Sequence, residues 1–209
     1  MAQPPYRIAM PKAPHALFAR IYDLFMVPQD RFGLAHQRTR LCGPAEGRVL
    51  EIAIGTGLNI PHYKSADTVV GIDNNPAMLR RAIRRTWETK ITVDLVVADA
   101  RTLPFPDRSF DSIVVGFSLC TIPDPATTLR ELHRVAAPHA ELRFLEHVRS
   151  AQPSMARRQD RFAPMWERVS GGCRANQETA RLIDESSWLI EDLWSSDGGG
   201  LIQGTAVAG

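Results

Sequence analysis

Residues 48–57 read Arg48-Val49-Leu50-Glu51-Ile52-Ala53-Ile54-Gly55-Thr56-Gly57. Four aliphatic side chains packed into 48–54 and then halted by Gly-Thr-Gly describe a short buried strand that ends in a tight turn. The pattern recurs downstream. Residues 68–73 (TVVGID) form a β-branched run closed by an acid, and Asp73 to Asn75 offer a cap just before Pro76. Met78, Leu79, Ala82 and Ile83 then draw an apolar stripe through the arginine-rich stretch 76–87, which predicts a helix. Strands follow at 93–98 and, after the turn-forming Pro104-Phe105-Pro106-Asp107, at 110–119. Asp124-Pro125 caps a helix carrying Leu129, Leu132 and Val135, which gives way at Pro138 to a strand over 141–148.

Strands alternating with helices imply right-handed crossovers and a parallel sheet covered on both sides. A helical segment over 155–169 comes next, and 188–194 with 202–207 read as two last strands joined through Gly198-Gly199-Gly200. That hairpin makes the sheet mixed. Upstream, residues 15–32 set Leu17, Phe18, Ile21, Tyr22, Leu24 and Phe25 mostly on one helical face, a helix lying over the domain. The fold class is therefore α/β: a three-layer sandwich around a mostly parallel seven-stranded sheet that ends in an antiparallel hairpin. Residues 1–12 are expected to be a flexible tail and 13–209 one domain, since 209 residues at 44% hydrophobic content fill a single core with little to spare.

Basic and acidic side chains nearly balance, 25 against 23, and no dense Lys/Arg run is present, which argues against a nucleic-acid footprint and for small-molecule chemistry. Cys42, Cys120 and Cys173 are odd in number and far apart in the chain, giving neither a disulfide framework nor a CxxC pair. A cytoplasmic location and no metal are expected. No stretch of the sequence reaches the roughly 18 apolar residues of a membrane span.

The chemistry gathers at strand ends. The Gly55–Gly57 turn falls where open α/β sheets bind ligands, and glycine lets a backbone come close to one. Asp73 follows Gly57 at about the spacing where a carboxylate accepts the two ribose hydroxyls of an adenosine, although a helix cap explains it as well. Asp99 closes the third strand, placed to meet an adenine amino group with Ala100 beneath the ring; an ordinary turn aspartate is the alternative. A dinucleotide enzyme would need Gly-x-Gly-x-x-Gly to cradle a pyrophosphate, but Gly57 is followed by Leu58, Asn59 and Ile60. Glu51 would repel a pyrophosphate, whereas its charge suits an ammonium and a sulfonium, reached directly or through backbone and water. S-adenosyl-L-methionine fits that charge pattern.

With VLEIAIGTG (49–57), GIDNNPAML (71–79), VVADARTLPFPDRSFDSIVV (96–115) and LRELHRV (129–135), the chain from Ala13 onward resembles the class I, seven-stranded Rossmann-like methyltransferases, particularly the ubiquinone/menaquinone branch. The resemblance implies that Glu51, Ala53, Gly55, Gly57, Asp73, Asn74, Met78, Asp99 and Ala100 line an S-adenosyl-L-methionine pocket, with Phe117 and Ser118 at its edge. Ala53 stands where most relatives have glycine, and residues 137–140 (Ala-Pro-His-Ala) replace a usual Pro-Gly-Gly.

Within that superfamily, Tyr63, Leu119-Cys120-Thr121-Ile122, Glu146-His147-Val148, Gly172-Cys173, Glu178-Thr179 and Gly204-x-Ala206-Val207 resemble the methyltransferase-like thiol S-methyltransferases. The animal members carry an apolar N-terminal anchor that these residues lack. A small, apolar thiol acceptor is the first expectation; a quinone precursor, a phospholipid amine or a natural-product intermediate is the alternative, and a non-catalytic adenosine-binding regulator is a third reading from another class. His147 is the candidate for assisting deprotonation, or else a polar group bonded at a strand end. Cys120 shapes the acceptor pocket or is a small wall residue, and Cys173 reads as a lid residue or as packing. Arg157, Arg158, Arg161 and Arg168 with Phe162, Met165 and Trp166 make an amphipathic segment that is an apolar lid, a peripheral membrane contact, or a helix packed on the core. The sequence leaves the oligomeric state open.

Overall fold

The period-two alternation of the first strand sorts the interior into two sides. In the computed structural model, which describes residues 22–23 and 33–209, β1 spans Gly47–Ile52. Leu50 and Ile52 point into the larger core with Val70, Ile72, Ile113, Val115 and Phe144. Val49 points to the other side, against Leu41, Cys42, Tyr63, Val114 and Leu145. Neighbours in a strand face opposite ways, so Glu51 shares the side of Val49 and is buried there.

The remaining strands are β2 (Ala66–Asp73), β3 (Thr92–Val97), β4 (Phe110–Gly116), β5 (Ala136–His147), β6 (Trp188–Ser195) and β7 (Leu201–Ala208), in the order β3-β2-β1-β4-β5-β7-β6. The first five are parallel; β7 runs antiparallel between β5 and β6. The expected seven-stranded α/β sheet with a terminal hairpin is thus what the chain forms. The order reverses between β1 and β4, and this switch point opens a crevice at the carboxyl ends of β1, β2 and β4.

The helices are α1 (Ala35–Cys42), α2 (Pro76–Thr86), α3 (Pro125–Val135), α4 (Pro153–Val169) and α5 (Thr179–Asp184). Pro occupies the first turn of α2 and of α3; the Asn75 side chain accepts the N–H of Ala77, and that of Asp124 accepts the N–H of Thr127. Both starts follow the expected caps. α3 seats Leu129, Leu132 and Val135 in the core, and its Leu129 carbonyl accepts the Trp188 indole N–H, so even the largest buried ring is satisfied.

Four readings change. β1 stops at Ile52, not 54, because Ala53 turns into the left-handed region (φ 48°), and β4 stops at Gly116 because Phe117 does the same (φ 55°). Helices α1 and α5 carry too few apolar residues, or too few residues at all, to show a period. The turn expected at 137–140 lies inside β5, whose pairing with β4 shifts register between Phe110 and Ser112 while His139 takes φ 72°. Finally, α4 is not packed on the core: only Ala156 is buried, and Met155, Phe162, Met165, Trp166 and Val169 are exposed.

The helix expected over residues 15–32 and the tail over 1–12 fall outside the described residues, apart from Tyr22 and Asp23, which are helical. Among the described residues no helix is long and apolar enough to cross a membrane.

Candidate active site

The crevice at the switch point holds a cleft of about 440 Å³, within the size range of small-molecule sites. Ala53, Gly55, Asp73, Asn74, Met78, Asp99, Ala100 and Phe117 all line it, brought together from the ends of four strands. Tyr22, Asn75, Arg101, Thr121, Ile122, Ser170 and Gly171 line it too; of these the sequence marks Tyr22 on a helix over the domain, Asn75 in a helix cap and Thr121 and Ile122 in a short motif, but not Arg101, Ser170 or Gly171.

Asp73 forms one wall. Its Oδ2 accepts the N–H of Gly55 (3.0 Å) and its Oδ1 that of Asn75 (2.7 Å). Burial pushes the carboxyl up to about 6 against those two donors. Each oxygen keeps a lone pair for a further donor. Asp99, opposite, is half-exposed and held by Arg101, whose guanidinium and backbone N–H both donate to it; those hydrogen bonds keep its carboxyl below the usual range. An adenine amino group would have to share Asp99 with Arg101.

Two glycines play different parts. A Cβ on Gly55 (φ 59°) would find only the Ala53 carbonyl oxygen, at 3.8 Å, so the turn is open toward the cleft. A Cβ on Gly57 (φ 82°) would come within 2.7 Å of Ile60 and 3.1 Å of Ala82. Gly57 therefore lets the turn pack on α2; expected to line the ligand pocket, it is not among the residues that line the cleft.

Glu51 and Ser118 also stand back from the large cleft. Glu51 is 2% exposed. Its two oxygens accept from Asn59 Nδ2 (2.8 Å) and Tyr63 OH (2.7 Å), and burial pushes it up to about 7. It borders a separate cavity of about 20 Å³ shared with Tyr22, Ala53, Thr56 and Phe117, a volume that accommodates one water. Ser118 is fully buried, and its backbone N–H, with those of Leu119 and Cys120, donates to Glu146 (2.7, 3.0 and 3.1 Å). Glu146 thus fixes the turn after β4 rather than touching the cleft; burial raises its carboxyl despite the three donors.

That turn presents Cys120 to His147 at the end of β5 and to Cys173 beyond α4. The two sulfurs lie 3.6 Å apart, and His147 Nδ1 lies 3.7 Å from Cys173 Sγ and 4.0 Å from Cys120 Sγ. The His147 ring stacks on Phe117, centroids 4.7 Å apart, so the cluster sits directly behind a wall of the cleft. The hydrogen bond between the thiols splits them: it lowers Cys173, with His147 helping, and it raises Cys120, with burial helping. Cysteines read from the sequence as remote are thus neighbours.

Over the glycine turn, Asp23 accepts from Thr56 Oγ1 (2.6 Å) and from Arg81 (3.0 Å), while Arg85 donates to the Thr56 carbonyl (2.6 Å). Burial opposes the Asp23 charge, but these partners win and its carboxyl is lowered. Nothing in the residue pattern had singled out Asp23.

Known proteins share this frame. A family model described as "Methyltransferase domain" matches residues 50–144. The 2-phytyl-1,4-naphtoquinone methyltransferase of Synechococcus elongatus is 30% identical over 172 residues, 76% of this chain and 74% of that protein. This chain belongs to the class I S-adenosylmethionine-dependent methyltransferases. Other members of the family are near it too. A phosphatidylethanolamine N-methyltransferase of Cereibacter sphaeroides is 38% identical over 103 residues, 48% of this chain and 51% of the relative. Thiol S-methyltransferase TMT1B of Rattus norvegicus is 27% identical over 170 residues, 79% and 66%. The chain thus spans about half the length of the first of these two and 66% of the second.

Among solved structures, a chain from the complex of the Haloferax volcanii Trm112 methyltransferase activator superposes with a TM-score of 0.73 at 17% identity, covering 95% of this chain and 99% of the other. The methyl donor of the family is S-adenosyl-L-methionine, and the cleft has the room and the polarity for it: Asp73 lines it with a lone pair left on each carboxylate oxygen, and the turn at Gly55 is open toward it.

Proposed function

We propose that this methyltransferase domain moves a methyl group from S-adenosyl-L-methionine to the sulfur of a small, apolar thiol. What carries the reading is the convergence of Cys120, His147 and Cys173 behind Phe117. They come from the three short motifs that resemble the thiol S-methyltransferases, and the rat thiol relative matches over 79% of the chain.

The bound donor supplies an electrophilic methyl on a cationic sulfur, so the protein's task is to hold, align and keep dry. Asp73 takes the ribose hydroxyls, Ala100 and Asp99 the adenine, and Asn74 and Met78 the flank of the nucleoside. Glu51 counters the ammonium through a water in the small cavity, and Ala53 and Gly55 shape the passage between. Phe117 and Tyr22 wall off the methyl. His147 and Cys120 stand on the acceptor side. The exposed apolar face of α4, next to Ser170 and Gly171 of the cleft, suits an apolar acceptor and contact with a membrane surface. The partner is a small molecule rather than a nucleic acid, in keeping with the balanced charge. The three free thiols suit a cytoplasmic location.

A second reading, methylation of a quinone precursor, is favoured by the 30% identity to the naphtoquinone enzyme. A radiolabelled methyl assay across alkyl thiols, quinols and amines at neutral to mildly alkaline pH separates the two. Labelled thioether is the expected product; label in a quinol with none in any thiol would remove the thiol assignment.

A further inference from the structure

Cys120, His147 and Cys173 are separated by 26 to 53 residues, yet their ligand-capable atoms all lie within 4.8 Å of one another. They are held there by bonds that do not involve the three side chains. The N–H of Arg174 donates to the Cys120 carbonyl (2.8 Å), its guanidinium to the Ile122 carbonyl, and Gln177 Nε2 to the Leu119 carbonyl (3.0 Å). Glu146 fixes the same turn from the other side by taking the Cys120 N–H. The turn that carries Cys120, the segment that carries Cys173 and the end of β5 are thus tied together in advance.

The spacing has a chemical meaning. A tetrahedral zinc ion with Zn–S of about 2.3 Å and Zn–N of about 2.0–2.1 Å sets neighbouring ligand atoms about 3.5–3.8 Å apart. The three observed separations are 3.6, 3.7 and 4.0 Å. A disulfide would instead need the sulfurs to close to about 2.05 Å and would have no use for the imidazole. Cys120 is fully buried and Cys173 is 6% exposed. Two thiolates there require a compensating charge, and a dication with two thiolates and a neutral imidazole is net neutral.

We propose that Cys120, Cys173 and His147 bind one zinc-class divalent ion at the acceptor end of the cleft. Thr121 beside Cys120, and Ser170 and Gly171 just before Cys173, line that cleft, so the ion borders the acceptor space. Three side-chain ligands, two sulfur and one nitrogen, are the set of a site that keeps a position for an exchangeable ligand such as water or an acceptor sulfur. Metal binding does not depend on the thiol reading above, and its readouts need no methyl transfer.

The full chain, purified under reducing conditions, is assayed for metal by mass spectrometry after zinc loading and dialysis, and for its absorption after cobalt(II) substitution. One equivalent of zinc is expected, with a thiolate-to-cobalt charge-transfer band and tetrahedral visible bands. Cys120→Ser, Cys173→Ser and His147→Gln should each lower zinc affinity at least tenfold, whereas Cys42→Ala, at a buried thiol packed with Leu41 and Val49 and outside the three-residue cluster, should leave it unchanged. Should a site variant fail to fold, the wild type decides: titrating the zinc-loaded protein with a mercurial should release one equivalent of zinc, read with a metallochromic dye, as two thiols are consumed. Less than a tenth of an equivalent of zinc, no thiolate band, equal loss in Cys42→Ala, or a Cys120–Cys173 disulfide without metal uptake after reduction would each overturn the proposal.

Discussion

Asp73 Oδ2 accepts the backbone N–H of Gly55 at 3.0 Å, so the acid that ends β2 is tied to the glycine turn that follows β1. The cofactor site is therefore assembled before any ligand arrives. Burial raises this carboxyl to about 6. Donation from ribose hydroxyls and a nearby sulfonium favours its ionised form. S-adenosyl-L-methionine affinity should then be flat above about pH 7 and fall as pH drops through 6, approaching tenfold per unit below it. Calorimetric titration from pH 5 to pH 8 checks this; an affinity independent of pH would separate Asp73 from the ligand.

Glu51 links stability to pH in the opposite sense. Its carboxyl is raised from 4.5 to about 7, so the folded protein holds that proton more tightly than the unfolded chain does. The associated stability is full below about pH 4.5 and is lost as pH rises through 7, amounting to about 3 kcal/mol. Glu51→Gln, which keeps acceptor and donor atoms for Asn59 and Tyr63, should unfold at higher temperature than wild type at pH 8 and bind S-adenosyl-L-methionine more weakly. Thermal unfolding at pH 5 and pH 8 reads the first effect; identical pH profiles would refute it.

Ala53 carries φ 48°, a conformation that costs an L side chain about 1 kcal/mol and glycine almost nothing. Ala53→Gly should stabilise the protein by about that amount in urea unfolding, with S-adenosyl-L-methionine affinity unchanged or improved. Destabilisation would mean that the methyl packs better than its backbone suggests.

Asp23 clasps Thr56 and Arg81 across the glycine turn. Asp23→Ala should weaken cofactor binding about tenfold by freeing the segment that carries Tyr22, while thermal stability drops by only about 1–2 kcal/mol. The two are read by calorimetry and by unfolding of the same preparation; an unaltered affinity would confine Asp23 to a structural role.

Most of the sheet was legible because its strands are largely apolar runs that stop at glycine or aspartate: Gly55 shortly after β1, Asp73 as the last residue of β2, Asp99 shortly after β3. That Asp73, Asn74, Asp99 and Ala100 share one cleft was legible for the same reason, since ligand-binding positions in such sheets are strand ends. Where the backbone turned at a residue other than glycine, at Ala53 and Phe117, the chain offered no local signal and the strands were read too long. Helix α1 hid because only Ala35, Leu41 and Cys42 are apolar among its eight residues, too few to draw a stripe. The part of Gly57 stays ambiguous in the sequence because packing against Ala82 and close approach of a ligand leave the same mark, a glycine in a turn. Proximity of Cys120, His147 and Cys173 arises from the β4–β5 pairing and from Arg174, which no spacing rule contains.

The central claim is that the ends of β1, β2 and β3 form one S-adenosyl-L-methionine site, and titration calorimetry with the wild type and Asp73→Ala tests it most directly. The account predicts saturable one-to-one uptake by the wild type and a loss of at least about a hundredfold in the variant, from two charge-assisted hydrogen bonds worth about 1.5–3 kcal/mol each. No uptake by the wild type, or equal affinity in a folded Asp73→Ala, would contradict it.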